Sequence, residues 1–244
     1  NEEGVRFQPD MLGSGVYAGQ FDLEYALGVT DDEGKPFGEE LERIGYDGDA
    51  PCEPDGVHCY FELHVEQGPY LENAGSSVGV VEGVFGFSWM NVAFEGQANH
   101  AGPTPMHMRR DAFVGAADVT KAVRELTATG GEDLVGTVGS VDVWLNAINV
   151  IPERVEFTVD VRSYDNDVVD RAVDRVRDEV AWAADREGLE FEFEEIMRLE
   201  ASAFDDDCIE TVADAAADAG CEYERLVSGA GHDASYLNEI VPTG

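Results

Sequence analysis

Between residues 86 and 202 the apolar residues switch between a period of two and a period near 3.6 in a fixed order, and no other feature restricts the fold as tightly. From Ser88 to Phe94, Met90, Val92 and Phe94 alternate with Trp89, Asn91 and Ala93, which predicts a strand. Arg110 to Thr127 sets Phe113, Ala116, Ala117, Thr120, Val123 and Leu126 at helical spacing, with Gly130 and Gly131 as a stop. Val135 to Trp144, then Val155, Phe157, Val159 and Val161, give two more strands. A second helix follows on Val168, Val169, Ala172, Val173, Val176 and Val180, capped by Asp165 or Asn166 and followed by Gly188. Leu189, Phe191 and Phe193 alternate with Glu190, Glu192 and Glu194 as a fourth strand.

Strand, helix, strand, strand, helix, strand is the order of a split βαβ, ferredoxin-like unit with an antiparallel sheet and helices on one face. The flanks read as pieces of an α/β domain, with Cys208 to Ala219 helical and Tyr60 to Val65 and Glu222 to Val227 as strands. The expected architecture is therefore α/β: residues 1–85 and 203–244 form parts of one domain, and residues 86–202 form an inserted α+β domain. Residues 31 to 56, rich in Asp, Glu, Gly and Pro, read as a surface loop around one short helix.

Composition limits the partners. With 52 Asp and Glu against 15 Lys and Arg, the net charge is -37, which disfavours nucleic acid and anionic membrane. No stretch approaches the roughly 18 apolar residues of a membrane helix, and the first residues lack a signal-peptide pattern, so the expected location is cytoplasmic. Acids spread over periodic segments read as a solvated surface, which self-repels unless salt shortens the Debye length to about 3 Å at 1 M. A halophilic, high-salt cytoplasm is the corresponding expectation. Cys52, Cys59, Cys208 and Cys221 form no C-x-x-C pair and read as free thiols, with zinc or disulfides as the minor alternative.

Five polar clusters carry the candidate chemistry. The apolar run Tyr-Phe-Glu-Leu-His64-Val-Glu66-Gln67-Gly68-Pro69 ends in polar groups, as strand ends do where α/β sheets bind ligands. Gln97-Ala-Asn-His100-Ala-Gly-Pro-Thr-Pro105 is a shaped loop before a helix whose start carries Asp111. Asn149 precedes Val-Ile-Pro, and Arg162 ends an alternating strand, where it suits either a surface ion pair or a bidentate grip on a substrate carboxylate. Ser228-Gly229-Ala-Gly231-His232-Asp233-Ala234 is small enough for close backbone approach. Glu2 and Glu3 are adjacent carboxylates that only a nearby metal would separate in role. His58 and His107 carry no flanking pattern and read as ordinary histidines.

Taken together, Asn-Glu-Glu-Gly-x-Arg-Phe, Glu-Leu-His-x-Glu-Gln-Gly-Pro, Ala-Asn-His-Ala-Gly-x-Thr-Pro-Met, Asn-Val-Ile-Pro, Asp-Val-Arg and Ser-Gly-Ala-Gly-His-Asp-Ala span nearly the whole chain. In order and spacing they resemble the N-carbamoyl-L-amino-acid and allantoate amidohydrolase branch of the metal-dependent aminoacylase and carboxypeptidase family. The resemblance implies a metallopeptidase-like catalytic domain holding two divalent ions (Zn, Mn, Co or Ni) and an inserted lid domain that forms a homodimer. It implies Glu2 as general base, Glu3 and His64 as metal ligands, and Gln67, His100, Asn149, Arg162, Gly229 and Gly231 as contacts to a small substrate. His100 would also stabilise the oxyanion, and it would reach the neighbouring subunit's site together with Asn149 and Arg162.

The implied reaction is hydrolysis of a ureido or carbamoyl group on a carboxylate-bearing substrate. The family's His-x-Asp ligand pair before Glu2 and its final His ligand after Gly244 are absent, so the expectation is a piece cut short at both ends and inactive alone. Two alternatives stand beside it: a peptidase or aminoacylase of the same family, and a non-catalytic dimerising fragment.

Overall fold

A computed structural model describes residues 6–129 and 133–244. Glu2 and Glu3, and the stop at Gly130 and Gly131, lie outside the described residues. In chain order the longer elements are helix α1 (Phe37–Ile44), strands β1 (Val78–Val84) and β2 (Gly86–Glu95), helix α2 (Ala112–Thr129), strands β3 (Val135–Val143) and β4 (Arg154–Ser163), helix α3 (Asn166–Glu187), strand β5 (Glu190–Leu199), helix α4 (Asp206–Asp218) and strand β6 (Tyr223–Ser228). The chain divides into two compact units, Phe85–Ala201 and the residues on either side of it.

In the first of these, the four strands lie in the order β3-β4-β2-β5 with every neighbouring pair antiparallel. This is the ferredoxin-like arrangement that the periodicity predicts. Met90, Val92 and Phe94 of β2 and Val155, Phe157, Val159 and Val161 of β4 all project to one face, because alternate side chains of paired strands share a side. Helix α2 covers them with Ala112, Ala116, Val119 and Val123, and α3 with Val169, Ala172, Val173, Val176 and Val180. Both stripes follow the 3.6-residue repeat.

The helix ends are fixed locally. Asp165 caps α3 by accepting N–H bonds from Asp167 (2.9 Å) and Val168 (3.3 Å). Gly188 closes it in the left-handed region at φ 67°, a conformation that glycine adopts without Cβ strain. Asp111 accepts from Phe113 and Val114 and so caps α2.

The other unit holds a three-stranded sheet with β1 in the centre, parallel to β6 and antiparallel to Ser202–Ala203. Val80, Val84, Phe204, Ile209, Ala213 and Ala234 make its core. A separate cluster of Phe7, Leu12 and Ala26 forms around two short helices, Leu12–Tyr17 and Leu23–Gly28, that periodicity does not predict. Central strand β1, with two glycines and few alternating positions, is likewise unmarked in the sequence.

One expectation fails outright. Tyr60 to Val65 is not a strand: Tyr60 forms a single bridge with Thr243, held by Tyr60 N–H to Pro242 O, Gly244 N–H to Tyr60 O and Glu62 N–H to Gly244 O. Its apolar alternation is real, but Leu63 and Val65 are exposed and among the described residues no ladder continues beside them. Residues 31 to 56 do surround one short helix, α1. Among the described residues no helix is long and apolar enough to cross a membrane.

Candidate active site

In the unit built on β1 and β6, polar groups gather where the parallel strands end. β6 terminates at Ser228, and the chain then passes through Gly229 to Asp233 into the short helix Ala234–Leu237. Gly231 faces the Met11 side chain, where a Cβ would stand 3.4 Å from Met11 Cε in ordinary van der Waals contact. His232 is buried at 5% exposure, and its Nε2 lies 3.0 Å from Ser228 Oγ. Burial, helped by the nearby His64, pushes the His232 pKa down to about 4, so this ring is neutral at pH 7.

The 60–66 segment docks against this loop. Glu62 Oε2 accepts the Ala234 N–H (2.8 Å), and the rings of His64 and His232 stack with centroids 4.4 Å apart at 28°. Partial burial raises the Glu62 pKa above the usual carboxylate range, against the opposing pull of the Ala234 N–H. Asp233 Oδ1 accepts from Ser14 Oγ at 2.6 Å, tying the loop to the first short helix. The Gly-rich loop and the His64 segment are thus brought together, although 168 residues separate His64 from His232.

The tautomer of His64 follows from its partner. Nδ1 lies 2.6 Å from the Val65 carbonyl oxygen, which can only accept, so Nδ1 carries the proton and Nε2 presents a lone pair. That is the donor chemistry of an imidazole metal ligand, and His64 fits that role as a single ligand. Among the described residues no group of three His, Cys, Asp or Glu is arranged to hold a metal ion. Gln67 is exposed, with left-handed backbone at φ 55°, and Glu66 is spent on capping the helix Tyr70–Ala74 through the N–H groups of Tyr70 and Leu71.

In the inserted unit, His100 has the opposite tautomer. Its Nδ1 accepts the Gly102 N–H at 3.0 Å, so in the neutral ring Nε2 carries the proton and is a donor on an exposed side chain. Asn99–His100 pairs with Val150–Ile151, and Ala101 N–H bonds to Asn149 O at 2.9 Å, which brings Asn149 beside His100. Arg109, which the sequence does not single out, shapes this loop by donating to the carbonyls of Ala101 (2.6 Å) and Thr104 (3.2 Å).

Arg162 sits elsewhere, in the four-stranded sheet opposite Phe87 and Val135. Its guanidinium grips Asp160, two residues earlier on the same face, with Nη2 to Oδ2 at 2.7 Å and Nε 3.0 to 3.1 Å from both oxygens, and it lies 5.1 Å from the Phe87 ring centroid. Of the two readings of this arginine, the ion pair is present. Sequence reasoning also passes over Glu62 and His232 as individual residues. Their only signals are an acid inside an apolar run and an imidazole flanked by Gly and Asp.

Comparison with known proteins gives this geometry its context. Residues 83–187 match the family described as the peptidase dimerisation domain. An N-carbamoyl-L-amino-acid amidohydrolase of Rhizobium meliloti is 41% identical over 243 residues, covering 100% of this chain and 58% of the relative. A probable allantoate deiminase of Oryza sativa is 32% identical, covering 100% of this chain and 56% of that protein. The crystal structure of a hydantoinase/carbamoylase family amidase from Burkholderia multivorans superposes with a TM-score of 0.89 at 47% identity, covering 100% of this chain and 59% of that one. The chain therefore spans about three fifths of the length of such relatives, and over that span it is similar to amidases of the hydantoinase/carbamoylase family.

Proposed function

We propose that the intact protein is a metal-dependent amidohydrolase that cleaves the ureido or carbamoyl group of a small carboxylate-bearing substrate, such as an N-carbamoyl-L-amino acid or allantoate. The observation that carries this reading is the pair of opposite tautomers: His64 offers a lone pair, as a metal ligand must, while His100 offers an N–H, as a carbonyl-oxygen binder must. In this reading Glu3 and His64 supply ligands for divalent ions, and zinc, manganese, cobalt and nickel all suit such donors. When bound, two such ions polarise the substrate carbonyl and lower the pKa of water.

Glu2 accepts the proton of the attacking water, and His100 holds the developing oxyanion beside Asn149. Gln67, Gly229 and Gly231 contact the substrate, and His100, Asn149 and Arg162 reach the site of the neighbouring subunit. Arg162 binds the substrate carboxylate, for which its fork must release or share Asp160, and partial exposure of both side chains (23% and 30%) makes that exchange feasible. The match to a dimerisation domain supports a homodimer through residues 86–202, and four free cysteines suit a reducing cytoplasm.

The test is a panel of N-carbamoyl-L-amino acids, allantoate, ureidoglycolate and 3-ureidopropionate on the intact protein, with manganese or zinc and high salt. Release of ammonia or amine from at least one is expected, and release from none overturns the reading. Arg162→Ala should raise KM with metal content unchanged, whereas His64→Ala should lose metal.

A further inference from the structure

Among the described residues no strand pairs with the chain at His64, and Leu63 and Val65 beside it are exposed. A ring in that setting rotates freely about its side-chain bonds unless specific contacts hold it. Two contacts do so. The Val65 carbonyl fixes the tautomer, and the flat face of His232 fixes the tilt of the ring plane at 28° and 4.4 Å. His232 is able to serve as that wall because it is itself immobile: it is buried, and Ser228 Oγ holds its Nε2 at 3.0 Å. Glu62 Oε2, bonded to the Ala234 N–H, prevents the two chain segments from sliding apart.

We propose that His232 is a positioning residue for His64, a ring that touches neither metal nor substrate and whose stacked face aims the lone pair of the His64 imidazole. The inference rests on the reading of His64 as a metal ligand and deepens it. A stacked wall predicts something that a general packing role does not. The flatness of the residue at position 232 matters, whereas its hydrogen bond to Ser228 matters only through immobilisation.

The experiment compares zinc affinity, measured by competition with a chromophoric chelator, in the intact protein carrying His232→Phe, His232→Leu, His232→Ala or His64→Ala. Melting of the metal-free forms is followed in parallel. Phe and Leu both fill the site with apolar volume and both lose the bond to Ser228, but only Phe keeps a ring to stack. Zinc binding is expected to weaken 10- to 100-fold in the Leu and Ala variants, the range for loss of an orienting partner, and to recover most of that loss in the Phe variant. The metal-free Phe and Leu variants should melt together.

Equal zinc affinity in the Phe and Leu variants overturns the positioning role, as does an affinity in His232→Ala equal to that of the parent protein. The two failures are distinguishable. If His64→Ala retains zinc at full affinity, the ligand reading itself falls. If that variant loses zinc while the Leu variant does not, only the role of His232 falls.

Discussion

Phe157 sits at the centre of the inserted unit, 1% exposed, opposite Val92 on β2 and 5.9 Å from the Phe94 ring centroid. Truncation to alanine removes a fully buried aromatic ring, which costs about 2 to 3 kcal/mol in lost transfer free energy. The two helices above are pinned by their caps and cannot fully collapse. A residual cavity on the order of 80 Å³ then adds about 2 kcal/mol at roughly 24 cal/mol per Å³. The sum, about 4 kcal/mol, falls inside the range of roughly 3 to 5 for such substitutions.

For a unit of about a hundred residues this lowers the melting midpoint by ~16 °C. The assay follows from the sequence: all three tryptophans, Trp89, Trp144 and Trp182, lie in this unit, so tryptophan fluorescence reports its unfolding alone. A shift of less than about 4 °C would show that the core relaxes around the deletion and refute the rigid-cap argument.

Three further outcomes are expected. Asp165→Ala removes two capping bonds at the start of α3 and should cost about 1 kcal/mol, read by the same fluorescence as a loss of ~4 °C. An unchanged midpoint would mean that water replaces the cap. Burial pushes the Cys208 thiol up to about 11, so at pH 8 it is protonated and should resist a thiol reagent that labels exposed Cys52 and Cys221 within the same interval; equal labelling rates would contradict its burial. Finally, with 52 acids against 15 bases, the unfolding midpoint should rise as potassium chloride is increased from 0.1 to about 2 M, because salt screens like-charge repulsion. A maximum at low salt would show that the surface is not self-repelling.

Much of the fold was legible in order of residues alone. In β2, β4, α2 and α3 each apolar repeat names the face that must be buried, and the caps at Asp111, Asp165 and Gly188 mark where helices begin and end, since both signals are local. Tyr60 to Val65 shows the limit. Alternation says which side chains share a face, but whether a ladder forms depends on a partner strand, and among the described residues the partner here is Pro242–Gly244 alone. The same limit hides β1, whose central place in its sheet depends on the distant neighbours β6 and Ser202–Ala203.

The candidate site divides in the same way. The motifs around His64, His100, Asn149, Arg162 and Gly229 to Gly231 mark chemistry, because those residue types at those spacings are unusual as an ordered set. What the residues do depends on partners remote in sequence or on backbone conformation. The carbonyl of Val65 and the N–H of Gly102 set opposite tautomers on two histidines that look alike in sequence. The stack of His232 on His64 joins positions 168 residues apart, and Asp160 occupies the fork of Arg162 only because a strand places residues i and i+2 on one face. Residue identity determines which donors and acceptors the chain owns; tertiary structure decides which of them meet, because a hydrogen bond or a stacked ring acts over a few ångströms whatever the distance along the chain.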